Sequence, residues 1–139
     1  MRIELFTVEE ANRLAAEIRP RLERLVMKKR EFDRIELRLE VMLVATSGAA
    51  PENPDTLELR SLEEKRRRLG ESIGKGLQEL LEKGVQVKDL DRGLVDFYAL
   101  QGDRLVFLCW QVDEPEVAHW HTLDDGFAGR QQIKRAGLD

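Results

Sequence analysis

From Val8 to Met42 the apolar residues recur at helical spacing: Leu14, Ile18, Leu22, Leu25, Phe32, Ile35, Leu39 and Met42 are separated by 4, 4, 3, 7, 3, 4 and 3 positions. Such a stripe holds one face of an α-helix buried over many turns and predicts a helix across residues 8–45. Its start is signalled by Thr7-Val8-Glu9-Glu10, a capping box in which the Thr7 hydroxyl and the Glu10 carboxylate each satisfy the other's backbone amide. Pro20 falls inside the pattern. Proline removes an amide donor and crowds the preceding turn, so a kink or short break is expected near Arg19. Upstream, Ile3 and Leu5 alternate with Arg2 and Glu4, which predicts a short strand over residues 1–6.

Residues 46–56 (TSGAAPENPDT) carry glycine, prolines and asparagine and predict a loop. Helical spacing returns over residues 57–83, with Leu62, Leu69, Ile73, Leu77 and Leu80 at intervals of 7, 4, 4 and 3, and Gly84 stands where a left-handed C-terminal cap belongs. Two long helices joined by a short loop form an antiparallel hairpin. Gly70, Gly74 and Gly76 lie inside the second helix, where each costs about 1 kcal/mol relative to alanine. Gly70 and Gly74, one turn apart, would let another backbone approach closely. A narrow stripe on so long a hairpin buries little alone, so a homodimer in the style of a four-helix bundle or coiled coil is the preferred arrangement, with packing on the chain's own sheet as the alternative.

Beyond Gly84 the period shifts to two. Val85 and Val87 alternate with Gln86 and Lys88; Leu94–Leu100 and Leu105–Val112 are rich in strand formers; Gln101-Gly102-Asp103 reads as their hairpin loop; and Glu116–His121 forms a further strand after Pro115. Residues 84–121 therefore predict an antiparallel meander, and residues 122–139 a C-terminal loop and tail. The expected fold is α+β, a long antiparallel helical hairpin followed by a small antiparallel sheet, in one domain over residues 1–139.

The composition narrows the partners. Residues 1–83 carry 17 basic against 17 acidic side chains and residues 84–139 carry 6 against 10, so the net charge of -4 belongs to the second part. An acidic sheet region argues against a phosphate backbone, and the runs Lys28-Lys29-Arg30 and Arg66-Arg67-Arg68 sit among glutamates as solvated helix faces, which makes nucleic acid an unfavoured partner. No apolar run is long enough to span a membrane, and residues 1–6 are too short and charged for a signal peptide. With Cys109 the only cysteine there is no internal disulfide, which fits the cytoplasm.

Candidate chemistry is confined to the second part. His119 and His121 flank Trp120, and residues two apart in a strand share a face, so both imidazoles could serve one metal with Asp124, Asp125, Glu114 or Glu116 completing it. The spacing lacks the HExxH or cysteine pattern of a strong zinc motif, and an ordinary hydrogen-bonded or surface role is the preferred reading, with general acid/base work as a further alternative; no cofactor is implied. Asp89-Leu90-Asp91-Arg92-Gly93 fails as an EF-hand, with Gly93 at position five, Leu94 at the required glycine and Leu100 at the twelfth position; it reads as a turn in which Arg92 pairs with Asp89, Asp91 or Asp96. Arg130 could clamp Asp124 and Asp125 or a ligand anion, and Phe127 anchors a loop. Cys109 lies in an apolar run and reads as a core residue, not a nucleophile, while Trp110 and Trp120 point into the core.

The stretches GVQVKDLDRGLVDF, LCW and EPEVAHWHTLDDGFAGR, with FTVEEANRL near the start, resemble the signature regions of the DUF2203 family, bacterial proteins of unknown function. The resemblance covers essentially the whole chain, implies a stand-alone protein, and brings no catalytic residue with it. The preferred functional expectation is a homodimeric interaction or scaffold protein without chemistry of its own, possessing a protein partner. The alternative is a ligand- or metal-binding module or hydrolase-like enzyme using Arg92, His119, His121, Asp124, Asp125 and Arg130; nucleic-acid binding through the basic helix faces ranks third.

Overall fold

The computed structural model describes residues 3–133 and Leu138; residues 1–2 of the expected strand and most of the tail beyond 133 lie outside them. Helix α1 spans Val8–Ala45 and helix α2 Pro54–Glu82, and strands β1 (Val85–Asp89), β2 (Leu94–Gln101), β3 (Arg104–Gln111), β4 (His119–Thr122) and β5 (Gln131–Gln132) follow. The strands form one antiparallel sheet in sequence order. The α+β architecture of hairpin and meander is as the periodicity implies. Among the described residues, no helix is long and apolar enough to cross a membrane.

Both helix starts follow from capping chemistry. Thr7 and Glu10 complete the reciprocal capping box of α1. Helix α2 begins three residues before the expected boundary, because Asn53 caps it by accepting from the Asp55 amide and Pro54 occupies the first turn, where proline's missing donor costs nothing. Pro20 does not break α1, which is continuous from Val8 to Ala45. Ala16 and Pro20 are both exposed, so the Ala16 carbonyl that loses its donor faces water.

The first half of α1 is the roof of the sheet. Ala11, Ala15, Ile18, Leu22 and Leu25 share one core with Val95, Phe97, Val106, Leu108, Trp110 and Trp120, each large side chain contributing about 1.5–3 kcal/mol of burial. Two polar side chains that the periodicity could not single out lock this contact. Asn12 accepts from the Val117 amide (2.7 Å) and donates to the Val117 carbonyl (3.2 Å), taking the place of a neighbouring strand. Arg19 donates to the carbonyls of Val112, Glu114 and Pro115 and lies over the Trp110 ring. Because Asn12 serves Val117, strand pairing after Pro115 starts only at His119, later than the expected Glu116.

Three further boundaries differ from expectation. Residues 3–6 are not a strand; the Phe6 amide alone donates to Tyr98 O (2.8 Å), continuing the edge of β2 past the end of β1. The β2–β3 loop is only Gly102–Asp103, with Gln101 and Arg104 as the last pair and Gly102 at φ 63°. The segment read as a tail contributes a 3-10 turn at Phe127–Gly129 and the edge strand β5. Between β1 and β2, Leu90–Gly93 is the expected turn, the Asp89 carboxylate accepting from the Arg92 amide; Gly93 (φ 63°) is required because a side chain there would strike Val112.

The hairpin outruns the sheet. At 1.5 Å per residue α1 is about 57 Å long, whereas an eight-residue strand covers about 27 Å. Beyond Val26 the buried residues of α1, Ile35, Leu39 and Met42, lie outside the shared core. Pairs Lys65–Glu31, Arg66–Glu36 and Arg38–Glu58 join the two helices there. The close approach anticipated at Gly70 and Gly74 falls elsewhere: a Cβ at Gly76 would sit 2.5 Å from Leu25 Cδ2, one at Gly70 would meet Phe32 at an ordinary 3.5 Å, and Gly74 faces open space.

Gly74→Ala should therefore stabilise by about 1 kcal/mol through helix propensity, while Gly76→Ala should forgo that gain by displacing Leu25. Urea denaturation of both variants checks this, and a Gly76→Ala protein as stable as Gly74→Ala would contradict the packing. Asn12→Ala should cost about 1–3 kcal/mol by leaving both backbone groups of Val117 unpaired; a loss within about 0.5 kcal/mol, the range of ordinary surface changes, would show that water replaces the amide without penalty.

Candidate functional site: the outer face of the sheet

Antiparallel pairing sends Asp96, Cys109 and His121 to the face of the sheet turned away from the helices. Asp96 pairs with Cys109, Cys109 with His119, and Phe107 with His121, so β2, β3 and β4 each supply one group. An outward face is normally solvated, yet these side chains are 2%, 0% and 3% exposed. Tyr98 and Phe107 stack at 4.6 Å between ring centres, Phe107 lies 5.4 Å from the His121 ring, and the Lys88 ammonium sits 4.4 Å above Phe107.

The polar groups inside are matched to one another. The His121 ring lies between two oxygens: Nδ1 donates to Thr122 O (2.7 Å), which can only accept, and Nε2 meets the Asp96 carboxylate at 3.0 and 3.1 Å. One proton is shared across the Nε2–carboxylate contact. Burial raises the pKa of Asp96, with the His121 charge opposing it. Burial, helped by the neighbouring Asp96 charge, pushes the Cys109 thiol from 9.0 up to about 12. A carboxylate beside the sulfur is the reverse of what activates a cysteine nucleophile.

A second group adjoins the first at the sheet's β4 side. Glu114 accepts from Arg130 Nη2 (2.8 and 2.9 Å) and from the Gln111 amide (2.8 Å), and His119 Nδ1 stands 3.7 Å from its Oε2, beyond hydrogen-bond reach. Arg92 and Arg130 flank the Phe127 ring at 3.9 and 4.8 Å. His119 also lines a cleft of about 360 Å³ at the sheet edge with Asn12, Glu116 and Gln132.

The expected site residues are thus distributed in three places. His121 belongs to the buried triplet, His119 and Arg130 to the Glu114 group, and Arg92 to the Phe127 stack. Asp124 and Asp125 are exposed on the turn after β4, where the Asp125 amide donates to Thr122 Oγ1 (3.2 Å). Arg130 pairs with Glu114 instead of clamping those aspartates, because the Phe127–Gly129 turn carries it back over the sheet. Periodicity alone does not join Asp96 and Cys109 to His121: Asp96 comes to stand opposite Cys109 because the β2–β3 loop is the two residues Gly102–Asp103, one fewer than the spacing predicts.

Two measurements follow from the thiol's position. At pH 8 a pKa of about 12 leaves roughly one thiol in ten thousand ionised, so native Cys109 should react with dithionitrobenzoate only as fast as the chain opens; immediate stoichiometric reaction would refute its burial. The folded chain also holds the thiol proton more tightly than the unfolded chain, so this group's contribution to stability is present below about pH 9 and lost as pH rises toward 12. Wild type should lose stability more steeply than Cys109→Ala over that interval, and parallel curves would contradict the assignment.

No curated protein and no solved structure matches the chain. Residues 4–133 match the family of uncharacterised conserved proteins DUF2203. With a match over nearly all its residues, the chain belongs to the DUF2203 family.

Proposed function

We propose that the protein is a homodimeric interaction module: the far half of its helical hairpin joins two copies, and its acidic sheet region meets a partner protein. The observation that carries this reading is a second apolar stripe on α1. Ile35, Leu39 and Met42 turn toward α2, while Leu37, Val41 and Val44, at spacings of 4 and 3 on the opposite side of the helix, are 65%, 53% and 80% exposed. Leu57 at the start of α2 adds a further exposed apolar side chain near the hairpin's tip. A helix apolar on two sides requires a second partner, and the sheet is too short to be that partner.

A second copy of the same hairpin suits the stripe best. Its borders carry both signs, with Arg34 and Arg38 beside Asp33 and Glu40, so two copies meet without a like-charge penalty. Four helices packed in this way cover the stripe on both chains at once. The basic runs support a protein partner over nucleic acid, since Lys29 is paired with Asp33 and Asp91, Lys28 with Ser72, Arg66 with Glu36, and Arg67 and Arg68 with Glu64. The buried, unactivated thiol of Cys109 suits the reducing cytoplasm.

Light scattering should give twice the 16.1 kDa chain mass, and Leu37→Glu with Val41→Glu should return the monomer with unchanged helix content. A wild-type monomer mass independent of concentration would refute the dimer.

A further inference from the structure

We propose that Asp96, Cys109 and His121 form a binding site for a divalent transition-metal ion of the zinc class, with a carboxylate oxygen, a thiolate sulfur and the imidazole Nε2 as ligands. One ligand atom from each residue lies within 4.8 Å of the other two, and all three side chains are buried. Around a tetrahedral zinc ion with bonds of about 2.0–2.3 Å, ligand atoms stand roughly 3.3–3.8 Å apart. A contraction of about an ångström on the longest side of the triangle therefore closes it, within reach of side-chain rotation on three adjoining strands.

The surroundings of the triplet support this use over a merely structural polar cluster. His121 donates Nδ1–H to the Thr122 carbonyl at 2.7 Å. This second bond fixes the tautomer and aims Nε2 at the ligand position, as the outer partners of metal-bound histidines do. The charges also cancel: a divalent ion with one thiolate and one carboxylate is neutral, which removes the penalty of burying each alone. Without the ion, the sulfur keeps its proton and one further proton stays between Asp96 and His121. Binding accordingly expels two protons to solvent, one from sulfur and one from the Asp96–His121 contact.

His119, cross-strand to Cys109, is not one of the three: its Nδ1 stands 3.7 Å from Glu114 Oε2. Burial makes the ion a staple across β2, β3 and β4 and not a reactive centre, independent of any dimer formed by the far half of the hairpin.

The test is to refold the full chain from denaturant with Co²⁺, which avoids the barrier of a buried site, and to record the absorption spectrum. One ion per chain, a thiolate-to-cobalt charge-transfer band in the near ultraviolet and strong visible bands of a tetrahedral site are expected, all bleached by equimolar Zn²⁺. Cys109→Ser should abolish the charge-transfer band, and Asp96→Asn should weaken affinity about 10- to 100-fold. Asp124→Asn with Asp125→Asn, on the exposed turn, should leave both bands unchanged. A folded wild-type chain with no charge-transfer band overturns the proposal whatever the variants do, as does a band that persists in Cys109→Ser or vanishes in the turn variant.

Discussion

One strand register governs both faces of the sheet. The two-residue loop at Gly102–Asp103 pairs Gln101 with Arg104, and every later pair of β2 and β3 follows from it. Because side chains alternate, Val95, Phe97, Val106, Leu108 and Trp110 go to the helices while Asp96 and Cys109 go to the other side. A slip of one residue in either strand would turn Trp110 outward or press Asp96 against the helices. The hydrophobic core and the polar triplet are thus consequences of a single geometric choice.

The triplet is costly if any member is left unpaired. A buried carboxylate or imidazole without a partner is heavily penalised, and such networks are tolerated when every donor meets an acceptor. Here each His121 nitrogen has an oxygen partner, and the Cys109 thiol, held in its protonated form by burial, brings no unpaired charge. Its neighbours keep solvent out: the Tyr98–Phe107 stack with Lys88 lies to one side, and the Glu114–Arg130 pair with the Arg92–Phe127–Arg130 stack completes the outer face.

The hairpin divides along its length in a comparable way. Near the sheet, small residues at Ala11 and Ala15 bring α1 close, and Asn12 and Arg19 fasten it to the segment between β3 and β4. Farther out the helices hold each other through Ile35, Leu39 and Met42 and through cross-helix ion pairs, exposed ones that contribute little each. The same far segment carries its second apolar stripe. Rigid attachment at one end and unsatisfied apolar surface at the other suit an arm built for association.

The two helices, the cap of α1, strand alternation and fold class were legible in the chain alone, because each depends on local spacing: the Thr7–Glu10 box, the three-to-four period up to Met42, the two-residue period after Gly84. The inward placement of Trp110 and Trp120 followed from the same alternation. What lay beyond local reading was every relation between distant residues. Asn12 replacing a strand beside Val117, Arg130 turning to Glu114 and not to its aspartate neighbours, and Leu25 needing the space at Gly76 all join positions that periodicity treats independently. Sequence spacing determines which face of its own element a side chain takes. Only the folded arrangement decides which other side chain stands there, because that depends on loop length and register, where one residue reverses the outcome.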